Sequence, residues 1–99
     1  MEIKTETDGA RAVFEVEGKL TVQTSPDLEA AIGKMPSSVC DFDIDLSGVS
    51  YVSSAGLRVF VAADKLATSR GGLMRLIAPN DEIMDVLEMT GLSEVFTIE

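Results

Sequence analysis

Residues 41–46 have the sequence Asp41-Phe42-Asp43-Ile44-Asp45-Leu46, in which acidic and apolar side chains alternate strictly. Successive side chains of a β-strand point to opposite faces of the sheet, so this segment is predicted to be a strand with one buried face and one acidic, solvated face. A parallel strand covered by helices on both sides would be apolar almost throughout. We therefore expect helices mainly on one face of the sheet, and we interpret the aspartates as a solvated face rather than as metal ligands.

The segment before this strand predicts a hairpin and a helix. Asp8-Gly9 separates two alternating stretches, which is typical of a tight hairpin turn. Residues 20–22 are expected to form a further short extended piece. Ser25 is the expected N-cap of a helix that has Pro26 at its first position and continues to about Lys34.

The segment after this strand predicts the longest helix. Ser47-Gly48 and Ser53-Ser54 are expected to frame the connection into a helix over about 54–68. Its inward stripe is predicted from helical spacing to be Val59, Ala62, Ala63 and Leu66.

The last third of the chain predicts one more strand and helix. Leu73 to Ala78 is the expected strand, Asn80 the N-cap of the third helix and Gly91 its end. The tail over 94–99 fits either a short strand or a docked end. Strands that alternate with helices after an opening hairpin imply right-handed crossovers. The predicted fold class is α/β, a mixed β-sheet with helices packed mainly on one face, in a single domain over residues 1–99.

Composition excludes several classes of function. The net charge of -9 would repel a polyanion, so nucleic acid is not expected as a direct partner. The chain has no His, the usual general base and commonest metal ligand, and its single Cys40 lies in no ligand cluster. We expect no metal, cofactor or catalytic residue. The apolar stretches fall far short of the roughly 20 residues that span a bilayer, so a cytoplasmic protein without direct membrane insertion is expected.

Ser54 is the candidate functional residue. Sites in open α/β sheets lie beyond the carboxyl ends of the parallel strands, where loops lead into helices. If Ser53 caps the helix, Ser54 is its first residue, and a phosphate there would be favoured by the free N–H groups and by Arg58 at i+4. The alternative from the local pattern is that both serines merely cap the helix. A serine hydrolase is not indicated, because there is no His and no glycine two residues before Ser54.

Residues 45–59, Asp45-Leu46-Ser47-Gly48-Val49-Ser50-Tyr51-Val52-Ser53-Ser54-Ala55-Gly56-Leu57-Arg58-Val59, resemble the signature of the STAS family. That family includes sulphate-transporter tails and anti-sigma-factor antagonists. The order of the flanking elements is similar over nearly the whole chain. The resemblance implies a mixed sheet backed by helices, with a binding surface around the start of the second helix.

For an antagonist, the resemblance implies capture of an anti-sigma factor with serine kinase activity, and thereby an indirect effect on a sigma factor. Phosphorylation by that kinase would release the antagonist, and the acceptor position falls on Ser54. The residues implied in partner binding are Thr21, Ser53, Ser54, Ala55, Leu57 and Arg58. Ser53 and Thr21 stand where antagonists often carry Asp. The alternative role is a non-catalytic STAS subunit of an ABC-type membrane transport complex.

Overall fold

Five strands and three α-helices make up the computed structural model, which describes all residues from Met1 to Glu99. The elements are β1 (Glu2–Asp8), β2 (Arg11–Leu20), α1 (Ser25–Gly33), β3 (Asp41–Val52), α2 (Ser54–Ser69), β4 (Met74–Ile77), α3 (Asp81–Met89), a 3₁₀ turn (Leu92–Glu94) and β5 (Thr97–Ile98). None of the helices is both long and apolar enough to cross a bilayer.

The strands lie in the sheet in chain order, β1-β2-β3-β4-β5. β1 pairs with β2 antiparallel, and every later pair is parallel. Three right-handed crossovers therefore step in the same direction across the sheet, which places all three helices on the same face. The predicted α/β class, with helices mainly on one face, is confirmed.

The opening hairpin is confirmed, but the start of α1 differs from the prediction. Asp8 pairs with Arg11 around Gly9, whose φ of 61° suits the tight turn. The expected extended piece over 20–22 is wrong, because β2 ends at Leu20 and residues 21–24 form a turn. Thr24, not Ser25, is the N-cap residue, so Pro26 is the second helical residue rather than the first.

Hydrogen bonds of two threonines explain this earlier helix start. The Thr21 hydroxyl oxygen accepts from the backbone N–H of Gln23 and of Thr24, both at 3.2 Å. The Thr24 hydroxyl donates to the Lys19 carbonyl at 2.6 Å and accepts from the Thr21 N–H at 2.8 Å. The turn is closed by its own side chains, a local alternative to helix capping that hydroxyl residues offer.

β3 is twice as long as its alternating segment indicated. The predicted connection at Ser47-Gly48 is wrong, because the strand continues to Val52. Its pairing with β2 jumps from Glu15–Asp45 to Glu17–Gly48, and again from Gly18–Val49 to Lys19–Tyr51. Each jump inserts one extra residue into β3, which is a β-bulge. The buried positions after Leu46 are therefore Val49 and Val52, three residues apart, and the two-residue alternation is lost.

The buried stripe of α2 is shifted from the predicted one. Val59 and Ala63 are buried as expected, but Ala62 is exposed and Leu66 only half-buried. Phe60 is fully buried instead, edge to face with Phe96 at 6.4 Å between ring centroids. Residues 59–63 are apolar without interruption, so spacing alone leaves the rotation of the helix open.

The end of the chain forms a short strand. Gly91, with a φ of 79°, ends α3 as predicted, and the Asn80 side chain caps its start by accepting from the Ile83 N–H at 2.8 Å. β5 then pairs with β4. Of the two predicted alternatives for the tail, a short strand or a docked end, the short strand is correct.

The helix-free face of the sheet is not uniformly solvated. Asp43 is only 7% exposed, because Arg75 donates to both of its carboxylate oxygens at 2.8 and 2.7 Å. Arg11 adds a contact at 3.6 Å. Asp43 and Arg75 are register partners on β3 and β4, a pairing that the alternation within one strand does not reveal. The interpretation of the three aspartates as a solvated face is therefore wrong for Asp43.

Candidate functional site

The carboxyl ends of β2, β3 and β4 lie at one edge of the sheet, because these strands are parallel. The turn over 21–24, Ser53 and the loop over 78–80 follow these three ends. This arrangement places the start of α2 in the middle of the edge, where sites of open α/β sheets are found.

Ser53 holds the start of α2 against the end of β2. Its N–H donates to the Leu20 carbonyl at 2.8 Å, and its hydroxyl oxygen accepts from the Gly56 N–H at 3.3 Å. Ser53 is thus the helix N-cap, as predicted, and its side chain is already engaged.

Gly56 allows the first turn of α2 to lie close to the sheet. A Cβ atom at this position would be 2.8 Å from Val52 Cγ1, closer than real Cβ atoms come to a neighbour, and a tight 3.1 Å from Leu20 Cβ. Only a residue without a side chain fits between the ends of β2 and β3. Gly56 therefore fixes how far Ser54 stands from the sheet.

Ser54 is exposed and is the first residue of α2. Of the four N–H groups at the helix start, those of Ser53 and Gly56 have the partners given above. The N–H groups of Ser54 and Ala55 have none within the chain. Free N–H groups at a helix start carry the positive end of the helix dipole, so this position favours a negative group.

Three of the other predicted partner-binding residues line two separate grooves. Ala55 and Arg58 line a groove between α1 and α2, called here the interhelix groove. Its remaining lining residues are Val22, Ser25, Pro26, Glu29 and Val59. Thr21 instead lines a second groove, together with Lys19, Ser50, Tyr51 and Glu82.

Leu57 is placed differently from the rest of the predicted set. Its side chain is half-buried and packs against the hydrophobic core. Its position therefore favours a structural contribution, while Ala55 and Arg58 face a surface that a partner can reach.

Two exposed side chains at this edge were not among the predicted site residues. Val22 is 69% exposed and Tyr51 is 50% exposed. Val22 lies in the turn after β2, and Tyr51 points outward because of the second bulge of β3. Val22 carried a signal in the sequence, as an apolar residue among polar turn residues, whereas Tyr51 carried none.

Comparisons with known proteins give a consistent picture. An anti-sigma-B factor antagonist of Bacillus subtilis (strain 168) is 29% identical over 83 residues, which are 84% of this chain and 76% of that protein. The crystal structure of an anti-sigma factor antagonist from Mycobacterium paratuberculosis is 28% identical with a TM-score of 0.85, covering 98% of this chain and 83% of its own.

A further solved structure shares the fold of this chain. The structure of the Bacillus cell fate determinant SpoIIAA in its phosphorylated form has a TM-score of 0.78 at 16% identity, over 99% of this chain and 91% of its own. A family model described as "Mlab, STAS domain" matches residues 3–98. With nearly every residue inside that match, this chain belongs to the STAS domain family.

Proposed function

We propose that this chain is an anti-sigma-factor antagonist, acting as one domain over residues 1–99. Without modification it captures an anti-sigma factor that is a serine kinase, and so frees a sigma factor. Phosphorylation of Ser54 by that kinase ends the complex. This role places the chain in the cytoplasm, where sigma factors act on RNA polymerase.

The observation that carries this proposal is the contrast between the two serines at the start of α2. The Ser53 hydroxyl is half-buried and occupied as the N-cap, whereas Ser54 is exposed. Of these two serines, only Ser54 therefore offers a free hydroxyl to a kinase that docks on this edge. The names of the curated relatives and of the Mycobacterium structure support the same role.

The chemistry asks for no catalytic residue of this chain. The Ser54 hydroxyl oxygen attacks the γ-phosphorus of ATP held by the kinase, the bond to the ADP oxygen breaks, and the serine proton leaves to solvent or to a base of the kinase. Ser54 then carries about -1.5 to -2 charges. On a partner surface made to fit a neutral hydroxyl, that charge and the added volume oppose binding.

Replacing Ser54 tests this mechanism by titration calorimetry with the anti-sigma factor kinase encoded in the same genome. Ser54→Ala keeps a small neutral side chain, so its affinity should match that of the wild type. Ser54→Asp should weaken binding at least about tenfold, or roughly 1.4 kcal/mol. Incubation of the wild type with kinase and ATP should add one phosphate, which mass spectrometry places on Ser54.

Ser37→Asp provides the matched control, because Ser37 is an exposed serine in the loop between α1 and β3, at the opposite edge of the sheet. It should bind as the wild type does. If Ser54→Asp bound equally tightly, or if the phosphate mapped to another residue, the proposed switch would be wrong.

The alternative role, a non-catalytic subunit of an ABC-type transport complex, would use the same helix surface without phosphate. It predicts no phosphorylation of Ser54 by the kinase and copurification with a transport ATPase. Mapping of the phosphate and copurification therefore separate the two roles.

A further inference from the structure

Arg58 differs from the other arginines of the chain in having no partner. Arg11 and Arg75 contact Asp43, and Arg70 donates to the carbonyls of Pro36 and Val39. Arg58 makes no hydrogen bond and lies within 4.0 Å of no carboxylate, although the chain has 17 acidic residues. Its guanidinium, with five N–H donors in a planar fork, is therefore available to an anion.

The interhelix groove contains a second donor without a partner. The Ser25 side chain is 1% exposed, and its hydroxyl is the one buried side-chain polar group of the chain that lacks a hydrogen bond. Buried polar groups are nearly always paired, so this hydroxyl can pair with water or with a group that enters the groove. Glu29 is the charged group that α1 contributes to the same groove, and it does not reach Arg58.

Helix geometry directs Arg58 toward Ser54. The two residues are four apart on α2, so they are neighbours on the helix surface. Long side chains of a helix lean back over the preceding turn, toward the N-terminus. From the interhelix groove, Arg58 can therefore reach the turn that begins at Ser54, where two backbone N–H groups are also free.

We propose that Arg58 is a phosphate clamp: once Ser54 is phosphorylated, the Arg58 guanidinium leaves the interhelix groove and binds the phosphate within the same chain. Guanidinium and phosphate pair in a specific, often bidentate geometry. Phosphorylation then changes the partner surface twice, by adding a charge at Ser54 and by withdrawing the free cation from the groove. This inference rests on the proposed role of Ser54 as the phosphoacceptor.

The test installs phosphoserine at position 54 through an expanded genetic code, so that no kinase is needed. The second pKa of the phosphate is followed by ³¹P NMR in the otherwise wild-type chain and with Arg58→Gln, Arg58→Lys or Lys65→Gln. Lys65 is an exposed cation further along α2 and matches the loss of one charge. A pKa about 0.4 lower with Arg58 than with Arg58→Gln is expected, the size of an exposed helical ion pair.

Arg58→Lys should retain part of this lowering, and Lys65→Gln should leave the pKa unchanged. The ¹⁵N-labelled Arg58 Nε–H resonance should move with the phosphate titration. An equal pKa in the wild type and in Arg58→Gln would overturn the clamp, as would an equal change caused by Lys65→Gln. Because phosphoserine is supplied directly, this failure is distinct from a kinase that does not modify Ser54.

Discussion

The helix-free face of the sheet and the start of α2 handle charge in opposite ways. At the sheet face, Asp43 and Arg75 meet through two hydrogen bonds, and Arg75 also donates to Glu99 at 2.8 Å. The hydrogen bonds with Asp43 hold the pKa of Arg75 above its usual value. At the start of α2, Arg58, the Ser54 hydroxyl and two N–H groups have no partner within the chain. The first region is complete by itself, whereas the second is available to another molecule.

The largest expected effect of a substitution lies in the complete region. Asp43→Ala should lower the free energy of unfolding by about 3 kcal/mol, because Arg75 loses two charge-assisted hydrogen bonds and keeps only the exposed Glu99 as a partner. Urea titration followed by circular dichroism measures this change. Asp85→Ala removes an exposed carboxylate of α3 and should change stability by less than about 0.5 kcal/mol. Equal effects of the two substitutions would remove the contrast between a buried pair and a surface charge.

A glycine pair tests how closely α2 approaches the sheet. Gly56→Ala should destabilise the fold by about 2 kcal/mol, since the new methyl group overlaps Val52 and Leu20. Gly33→Ala, at the end of α1, meets nothing within 4 Å and should stabilise it by about 0.5 kcal/mol. Thermal unfolding of both variants shows whether each substitution stabilises or destabilises the fold. A neutral Gly56→Ala would mean that the first turn of α2 can move away from the strand ends.

The smallest effect separates the two adjacent serines. Ser53→Ala removes the N-cap and should cost about 1 kcal/mol, while Ser53→Asp keeps a capping oxygen and should restore most of it. Ser54→Ala removes a hydroxyl that has no partner and should cost less than about 0.5 kcal/mol. Chemical denaturation under identical conditions compares the three. If Ser54→Ala were as costly as Ser53→Ala, Ser54 would be part of the cap rather than a free hydroxyl.

Much of this contrast could be predicted from the sequence where the determinants are local. The alternation over 41–46 predicted one-sided coverage of the sheet, and adjacent serines before a helix predicted both the cap and the exposed neighbour. These features depend on residues within a few positions of one another. Helix capping and side-chain periodicity depend on neighbouring residues, so both can be predicted from the sequence.

The remaining features depend on residues that are distant in the chain. The burial of Asp43 requires Arg75, which lies on the next strand. The bulges of β3 exist only relative to β2. Sequence periodicity therefore could not place the end of β3, and it assigned Ser47-Gly48 to a loop.

The two bulges of β3 also decide which positions of the strand before Ser54 face the core. One extra residue in a bulge changes the later inward-facing positions from even to odd numbers, and a second extra residue changes them back to even numbers. Leu46 and Val52 consequently point to the same side, with Val49 brought there by the first bulge alone. Losing one residue at a bulge would make the pairing regular there and leave Val52 opposite Leu20, so the helix start would keep its side. The bulges thus let this stretch change length by one or two residues while Ser54 stays at the same edge of the sheet.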